Sequence, residues 1–206
     1  GSNQYVGNWP GVTVEKKEGT AHLGTQEMTI VDLPGIYSLS PYSMEEIVAR
    51  QFIIGEHPDA ILNIVDATNL ERNLYLTMQL LERPMVLALN FMDEVEKAGD
   101  HIDVERLSQH LGVPVIPISA RDGTGLDTLL EVAHRQMHTG LTVEPDDLYD
   151  DYTHEIHHRV GEVIHDKAYE AGIPAHWAAI KLIEGDADVT EHLHLSGREA
   201  AKIEQI

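Results

Sequence analysis

Four apolar runs in the sequence each end on a small polar residue: 28–31 on Asp32, 60–65 on Asp66, 85–89 on Asn90 and 115–118 on Ser119. As strands of an open α/β sheet they deliver these residues to the carboxyl edge, where such sheets bind ligands. Capping a helix or starting a turn is the competing role for each one. Three of the strand ends run on into strings suited to a nucleoside triphosphate. In Asp32-Leu33-Pro34-Gly35 the carboxylate can hold a Mg²⁺-bound water, and the glycine amide can approach a γ-phosphate with no side chain in the way. In Asn90-Phe91-Met92-Asp93, Asn90 can order its loop and meet N7 of a purine, while the Asp93 carboxylate can accept from guanine N1 and N2, a donor pair adenine lacks. In Ser119-Ala120-Arg121 a backbone N–H can read guanine O6. Each string is common alone; their order, each at a strand end, points to a guanine nucleotide.

The elements that must position these residues follow from periodicity. Strand-like runs alternate with helix-like spacing over 44–54, 70–81, 104–111 and 126–137, the pattern of a parallel sheet covered by helices. Asp103 and the turn Asp122-Gly123-Thr124-Gly125 are the expected starts of the last two helices. Beyond Gly140 the texture changes. Glu144-Pro145-Asp146-Asp147 opens an acidic linker, an amphipathic helix is expected over 152–171 with Ile156, Val160, Val163, Ile164 and Ala168 on one face, and Gly172-Ile173-Pro174 ends it. A helix over 175–183 and short polar helices complete a small α-helical part. His154, His157, His158 and His165 fall at helical spacing there, and a solvated helix face is expected of them rather than a metal site.

Composition removes several function classes. Of 206 residues 42% are apolar, enough for a core. Against 14 Lys and Arg stand 35 Asp and Glu, a formal net charge of −21, which repels nucleic acid and anionic lipid. The absence of cysteine rules out disulfides, thiolate zinc sites, iron–sulfur clusters and cysteine nucleophiles. No apolar run approaches the ~20 residues of a membrane helix and no signal-peptide pattern is seen, so a soluble segment is expected. No Gly-x-Gly-x-x-Gly follows a strand, which disfavours a doubly wound dinucleotide enzyme.

Three long, idiosyncratic strings carry a resemblance: Val6-Gly7-Asn8-Trp9-Pro10-Gly11-Val12-Thr13-Val14-Glu15, Asp32-Leu33-Pro34-Gly35-Ile36-Tyr37-Ser38-Leu39 and Val65-Asp66-Ala67-Thr68-Asn69-Leu70-Glu71-Arg72-Asn73-Leu74. With the guanine strings they resemble the cytoplasmic G domain of FeoB-type bacterial ferrous iron transporters, which carry after it a helical domain likened to a nucleotide-dissociation inhibitor. The resemblance covers essentially the whole chain. It implies a Ras-like P-loop GTPase fold over 1–140, α/β with a mostly parallel sheet and helices on both faces, and the helical domain over 141–206. It implies GTP or GDP with Mg²⁺ as ligands, bound by Gly11, Val12, Thr13, Val14 and Glu15 of a mobile first switch, Asp32, Leu33, Pro34 and Gly35 of a second, and the base strings. Thr13 and Gly35 would carry hydrolysis, Thr13 and Asp32 would hold Mg²⁺, and Gly7-Asn8-Trp9 resembles the loop whose carbonyls hold K⁺ in cation-activated members. The implied partners are a membrane permease domain of the same parent chain and a second copy of the chain, at the cytoplasmic face of the bacterial inner membrane. The implied role is coupling nucleotide state to Fe²⁺ uptake. A non-hydrolysing module that docks partners through the helical domain is the alternative.

Two departures matter. Many GTPases place a water-orienting Gln after Asp-x-x-Gly; this chain has Ile36, which cannot hydrogen-bond water, so slow turnover is expected. The sequence also lacks any Gly-x-x-x-x-Gly-Lys-Ser/Thr. The resemblance puts that loop, after the first strand of the sheet, within about two dozen residues before Gly1. The expectation is GTP hydrolysis by the parent, weak or no binding by these 206 residues, and unpaired strand edges flanking the first strand's position.

Overall fold

The computed structural model describes residues 4–143 and 149–206; the linker string Glu144-Pro145-Asp146-Asp147 lies outside them. The chain divides into two compact units, Gly1–Thr142 and Val143–Ile206.

In the first unit the organising strand is β5 (Met85–Asn90), between β4 (Ile61–Asp66) and β6 (Val115–Pro117), all parallel. Met85 to Leu89 have no solvent exposure at all, as an uninterrupted apolar run requires when helices cover both sheet faces. On one face Val86 and Ala88 pack with Ile118 against Leu129 and Ala133 of α5 (Leu126–Thr139). On the other, Asn63 of β4 donates from Nδ2 to Thr77 Oγ1 of α2 (Leu70–Leu80) at 2.8 Å, which satisfies both buried polar groups. The helices α1 (Met44–Gly55), α3 (Met92–Ala98) and α4 (Val104–Leu111) belong to the same unit. Ser43 and Glu46 form a capping box at the start of α1, and Asp103 caps α4 by accepting from the Arg106 N–H. The architecture is the expected α/β one, with helices on both faces of a parallel sheet.

One expectation is corrected. The run 28–31 does not join the parallel sheet: it lies in β3 (Gln26–Asp32), third strand of a separate antiparallel sheet with β1 (Gln4–Asn8) and β2 (Glu15–Leu23). No apolar run marks β1 or β2, because among their described residues and those of β3 only Met28 is deeply buried and the others are half-buried or exposed. The available signal was Gly24-Thr25, a two-residue loop closing Leu23 onto Gln26 with Gly24 at φ 63°, the hairpin chemistry glycine favours. Among the described residues β3 pairs only with β2 and β4 only with β5, and Ile64 of β4 is 62% exposed.

The second unit is helical: α6 (Asp151–Ala171), α7 (Ala175–Ile183), α8 (Ala187–His192) and α9 (Gly197–Ile203). Asp150 caps α6 by accepting from the Thr153 N–H, and Gly172 ends it at φ 67°. Val160, Ile164 and Ala168 of α6 are buried, as are Trp177, Ala178 and Ala179 of α7. The solvated histidine face is corrected at one position: His157 is fully buried, its Nδ1 3.1 Å from the Thr153 carbonyl oxygen and its Nε2 3.0 Å from His176 Nδ1. A ring one turn from Val160 on the same stripe packs inward with it. Among the described residues no group of His, Asp and Glu is arranged to hold a metal ion, and no helix is long and apolar enough to cross a membrane.

Candidate functional site

The parallel register aligns Asp66 with Asn90 at the carboxyl edge, and β6 delivers Ser119 to the same edge two residues after its end. Three of the four polar strand ends thus share one edge; Asp32 ends β3 in the other sheet. Asp66 serves its own turn there, its Oδ1 accepting from the N–H and the hydroxyl of Thr68 at 2.9 and 2.7 Å. The capping role applies to that residue.

Asn90 and Ser119 belong to a tight cluster. Asn90 Oδ1 accepts the Ala120 N–H at 3.0 Å, which ties the Asn90-Phe91-Met92-Asp93 string to the Ser119-Ala120-Arg121 loop. The backbone joins them a second time, the Met92 N–H reaching the Ile118 carbonyl at 3.3 Å. Phe91, which caps α3, is in the left-handed region at φ 66°, a costly conformation for a bulky residue. It turns the chain sharply enough for α3 to begin directly after the strand, so Asp93 lies in the first helical turn, three residues from Asn90. The loop beyond β6 is built as stiffly. Ser119 is buried, its N–H donates to the Thr124 carbonyl at 3.1 Å and its hydroxyl to Asp122 Oδ2 at 3.2 Å. Gly125, at φ 78°, sits so close under the strand end that a Cβ there would lie 2.4 Å from the Pro117 carbonyl oxygen.

The Asp93 carboxylate is the electrostatic centre of the cluster. Lys97 Nζ is 3.2 Å from its Oδ2, and the Arg121 guanidinium pairs with the same oxygen. Desolvation pushes the Asp93 carboxyl up, but hydrogen bonds from Lys97 and Ser119 and the Arg121 and Lys97 charges outweigh it and hold the group below the ordinary aspartate value. Hydrogen bonds to Glu94 and Asp93 raise Lys97, and bonding to Asp122 with the Asp93 charge raises Arg121. What sequence reasoning missed is that the Arg121 side chain turns onto Asp93, a contact between residues 28 apart.

The remaining candidates gather at the other sheet. The β2–β3 ladder pairs Lys17 with Asp32, which brings Gly11, Val12, Thr13, Val14 and Glu15 to the same end as Leu33, Pro34 and Gly35. Thr13, Asp32 and Gly35 are exposed, and no atom would meet a Cβ on Gly35 within 4 Å. The chain after Gly35 is pinned: the Leu39 N–H donates to Gln79 Oε1 at 2.8 Å and its carbonyl accepts from Arg50 Nη1 at 3.2 Å.

The residues likened to a K⁺ loop, Gly7-Asn8-Trp9, lie at the start of this sheet. Gly7 and Asn8 are strand residues, facing Lys16 and Glu15 in the β1–β2 ladder. The Trp9 N–H donates to the Val14 carbonyl at 2.9 Å across the turn, and the Trp9 ring is buried edge-on against Phe52 at 5.3 Å, under Lys16 Nζ. A large indole with an apolar partner anchors the hairpin.

Comparison with known proteins adds the family. Residues 1–133 match the family described as ferrous iron transport protein B, and residues 149–206 match the FeoB cytosolic helical domain. The chain is 42% identical over 204 residues to the Fe(2+) transport protein A/Fe(2+) transporter FeoB fusion protein of Porphyromonas gingivalis, covering 92% of this chain and 23% of that protein. It is 49% identical over 135 residues to Fe(2+) transporter FeoB of Escherichia coli, covering 63% of this chain and 18% of the relative. The chain therefore spans less than a quarter of the length of these relatives. Among solved structures, a variant of S. thermophilus NFeoB bound to mGDP superposes with TM-score 0.90 at 44% identity, over 100% of this chain and 78% of that one. The mGMPPNP-bound NFeoB from S. thermophilus gives 0.83 at 45% identity over 99% and 76%. The cytosolic domain of T. maritima FeoB in a GDP form gives 0.82 at 32% identity over 100% and 82%. The fold is that of the FeoB G domain with its helical appendage, and the chain belongs to the FeoB ferrous iron transport family.

Proposed function

We propose that the chain is a guanine-nucleotide-binding and slowly GTP-hydrolysing regulatory region of a ferrous iron transporter. In the parent protein, its nucleotide state is coupled to Fe²⁺ passage through a membrane permease domain, and the region lies at the cytoplasmic face of the bacterial inner membrane. The observation that carries the reading is the convergence of Asn90, Asp93 and the Ser119-Ala120 loop on one sheet edge, in a chain similar to domains whose solved structures hold guanine nucleotides. Asp93 is ionised and can accept the guanine N1 and N2 protons, while Asn90 holds Ala120 in place beside it.

Thr13 and Asp32 supply a hydroxyl and a carboxylate at one end of the β2–β3 ladder, the hard oxygen donors Mg²⁺ takes. These residues would hold Mg²⁺, and the charge it supplies when bound offsets that of the phosphates. Gly35 leaves its amide open to an incoming phosphate, and Ile36 beside it orients no water, which keeps turnover slow. The K⁺ reading rests on the resemblance of Gly7-Asn8-Trp9 to a cation loop; here Gly7 and Asn8 stand in the β1–β2 ladder and the Trp9 ring is buried.

The test is a titration of fluorescent GTP, GDP and ATP against the 206-residue chain and against a longer form of the same gene product carrying residues upstream of Gly1. Binding of GTP and GDP well above ATP in the longer form is expected. Equal affinity for ATP overturns the base assignment.

A further inference from the structure

The Asp93 carboxylate, read above as the base acceptor, is already engaged by a side chain from another element. Asp93 stands on α3, and Arg121 comes from the loop after β6; any ligand that meets both Asp93 and the backbone of 119–121 must contact both elements. Lys97, the other cation on Asp93 Oδ2, lies one helical turn further along the same helix, α3. The Arg121 guanidinium links α3 to the loop after β6. Its Nη1 is 3.1 Å from Glu94 Oε1 and its Nε 3.3 Å from Asp122 Oδ1, while Nη2 pairs with Asp93. Glu94 and Asp122 thus contact the guanidinium beside Asp93, and they remain to hold it when Nη2 lets go.

Resting on the guanine reading above, we propose that Arg121 is a gate on base recognition, an internal competitor that occupies the Asp93 carboxylate and must be displaced by the guanine N1 and N2 donors. The gate lowers apparent guanine affinity by the strength of one exposed ion pair, and it speeds nucleotide release because the guanidinium is held beside the carboxylate, ready to return. A nucleotide that makes no use of Asp93 gains nothing when the gate is removed.

The experiment measures fluorescent GDP binding and dissociation on the longer, nucleotide-binding form in five versions: unchanged, Arg121→Ala, Arg121→Lys, Asp93→Asn and Arg121→Ala combined with Asp93→Asn. Arg121→Ala is expected to tighten GDP binding about two- to fivefold, mainly by slowing dissociation, since exposed ion pairs have about that strength. The gain should shrink at high salt, where the pair is screened. Arg121→Lys should stay near the unchanged protein, and Arg121→Ala should bring no gain in the Asp93→Asn background. Unchanged or weaker GDP binding by Arg121→Ala, with the parent binding normally, overturns the gate and leaves the guanine reading standing. A gain that persists with Asp93→Asn also overturns it, because Arg121 would then act through another group. Absence of GDP binding in the unchanged protein overturns the guanine reading and the gate with it.

Discussion

Two glycines of one loop differ in a way that isolates how the site is positioned. Gly123 and Gly125 have nearly the same backbone, φ 77° and 78°, yet a Cβ on Gly123 would meet nothing within 4 Å, whereas one on Gly125 would lie 2.4 Å from the Pro117 carbonyl oxygen and 3.1 Å from Ile118 Cγ2. Gly123→Ala should therefore cost only the left-handed conformation, about 1–2 kcal/mol. Gly125→Ala carries the same term and must also push the end of β6 away by about 0.6 Å to reach even the 3.0 Å limit of real contacts. Overpacking of that kind adds about 1–3 kcal/mol, giving about 2–5 kcal/mol in all. The displaced residues are those that seat Ile118 in the core and lead into Ser119 and Ala120, so guanine binding should weaken with stability. Each unit carries one tryptophan, Trp9 in the first and Trp177 in the second. In a Trp177→Phe background, urea unfolding followed by Trp9 fluorescence reports the first unit alone, and the change in midpoint at constant slope gives the stability difference. Equal losses for the two variants refute the reasoning, since the close approach under Pro117 would then constrain nothing.

Other expectations follow from the same geometry. Because the Asp93 carboxyl is held below its ordinary value, its ionised contribution is present above the unfolded value near 4 and is lost only as the pH falls through the lower folded value; GDP affinity should stay flat from pH 7 to about pH 5, and a fluorescence titration showing a carboxylate-like loss above about pH 5 contradicts the assignment. Asp93→Asn removes a charged acceptor and should weaken guanine binding about 10–100-fold in the nucleotide-binding form, the range of a charge-assisted hydrogen bond; unchanged GDP affinity in the same titration counts against it. In the second unit His157→Ala should cost about 1–3 kcal/mol, because it removes a fully buried ring and the hydrogen bonds that its two nitrogens make with the Thr153 carbonyl oxygen and His176, whereas His165→Ala, at a side chain 72% exposed, should stay within about 0.5 kcal/mol; thermal melts read by Trp177 fluorescence in a Trp9→Phe background separate the two.

The parallel core, the helices over it and the residues at its carboxyl edge were legible in the sequence because their signals are local and strong. An apolar run of β5's length has to be buried on both faces, and a capping Asp before 104–111 acts on the next turn of its own helix. Asn90, Asp93 and Ser119 were found for the same reason: each stands at a fixed short distance from a strand that periodicity reveals. The β1–β2 hairpin was not legible, since its strands are wet and carry no apolar alternation. His157 was misjudged because spacing says which residues share a face without saying whether another helix covers it.

What the chain's own order of residues determined was therefore the set of chemical groups and the strand ends that carry them, including Ile36 in place of a water-orienting side chain. Only the tertiary structure decided their mutual relations. It bonded Asn90 to Ala120 across 30 residues, brought Thr13 and Asp32 to one end of a separate sheet, and turned Arg121 onto the Asp93 carboxylate. Contacts between distant residues depend on how strands pair and how loops close, and a single sequence read along its length carries no signal for the direction in which an exposed arginine swings.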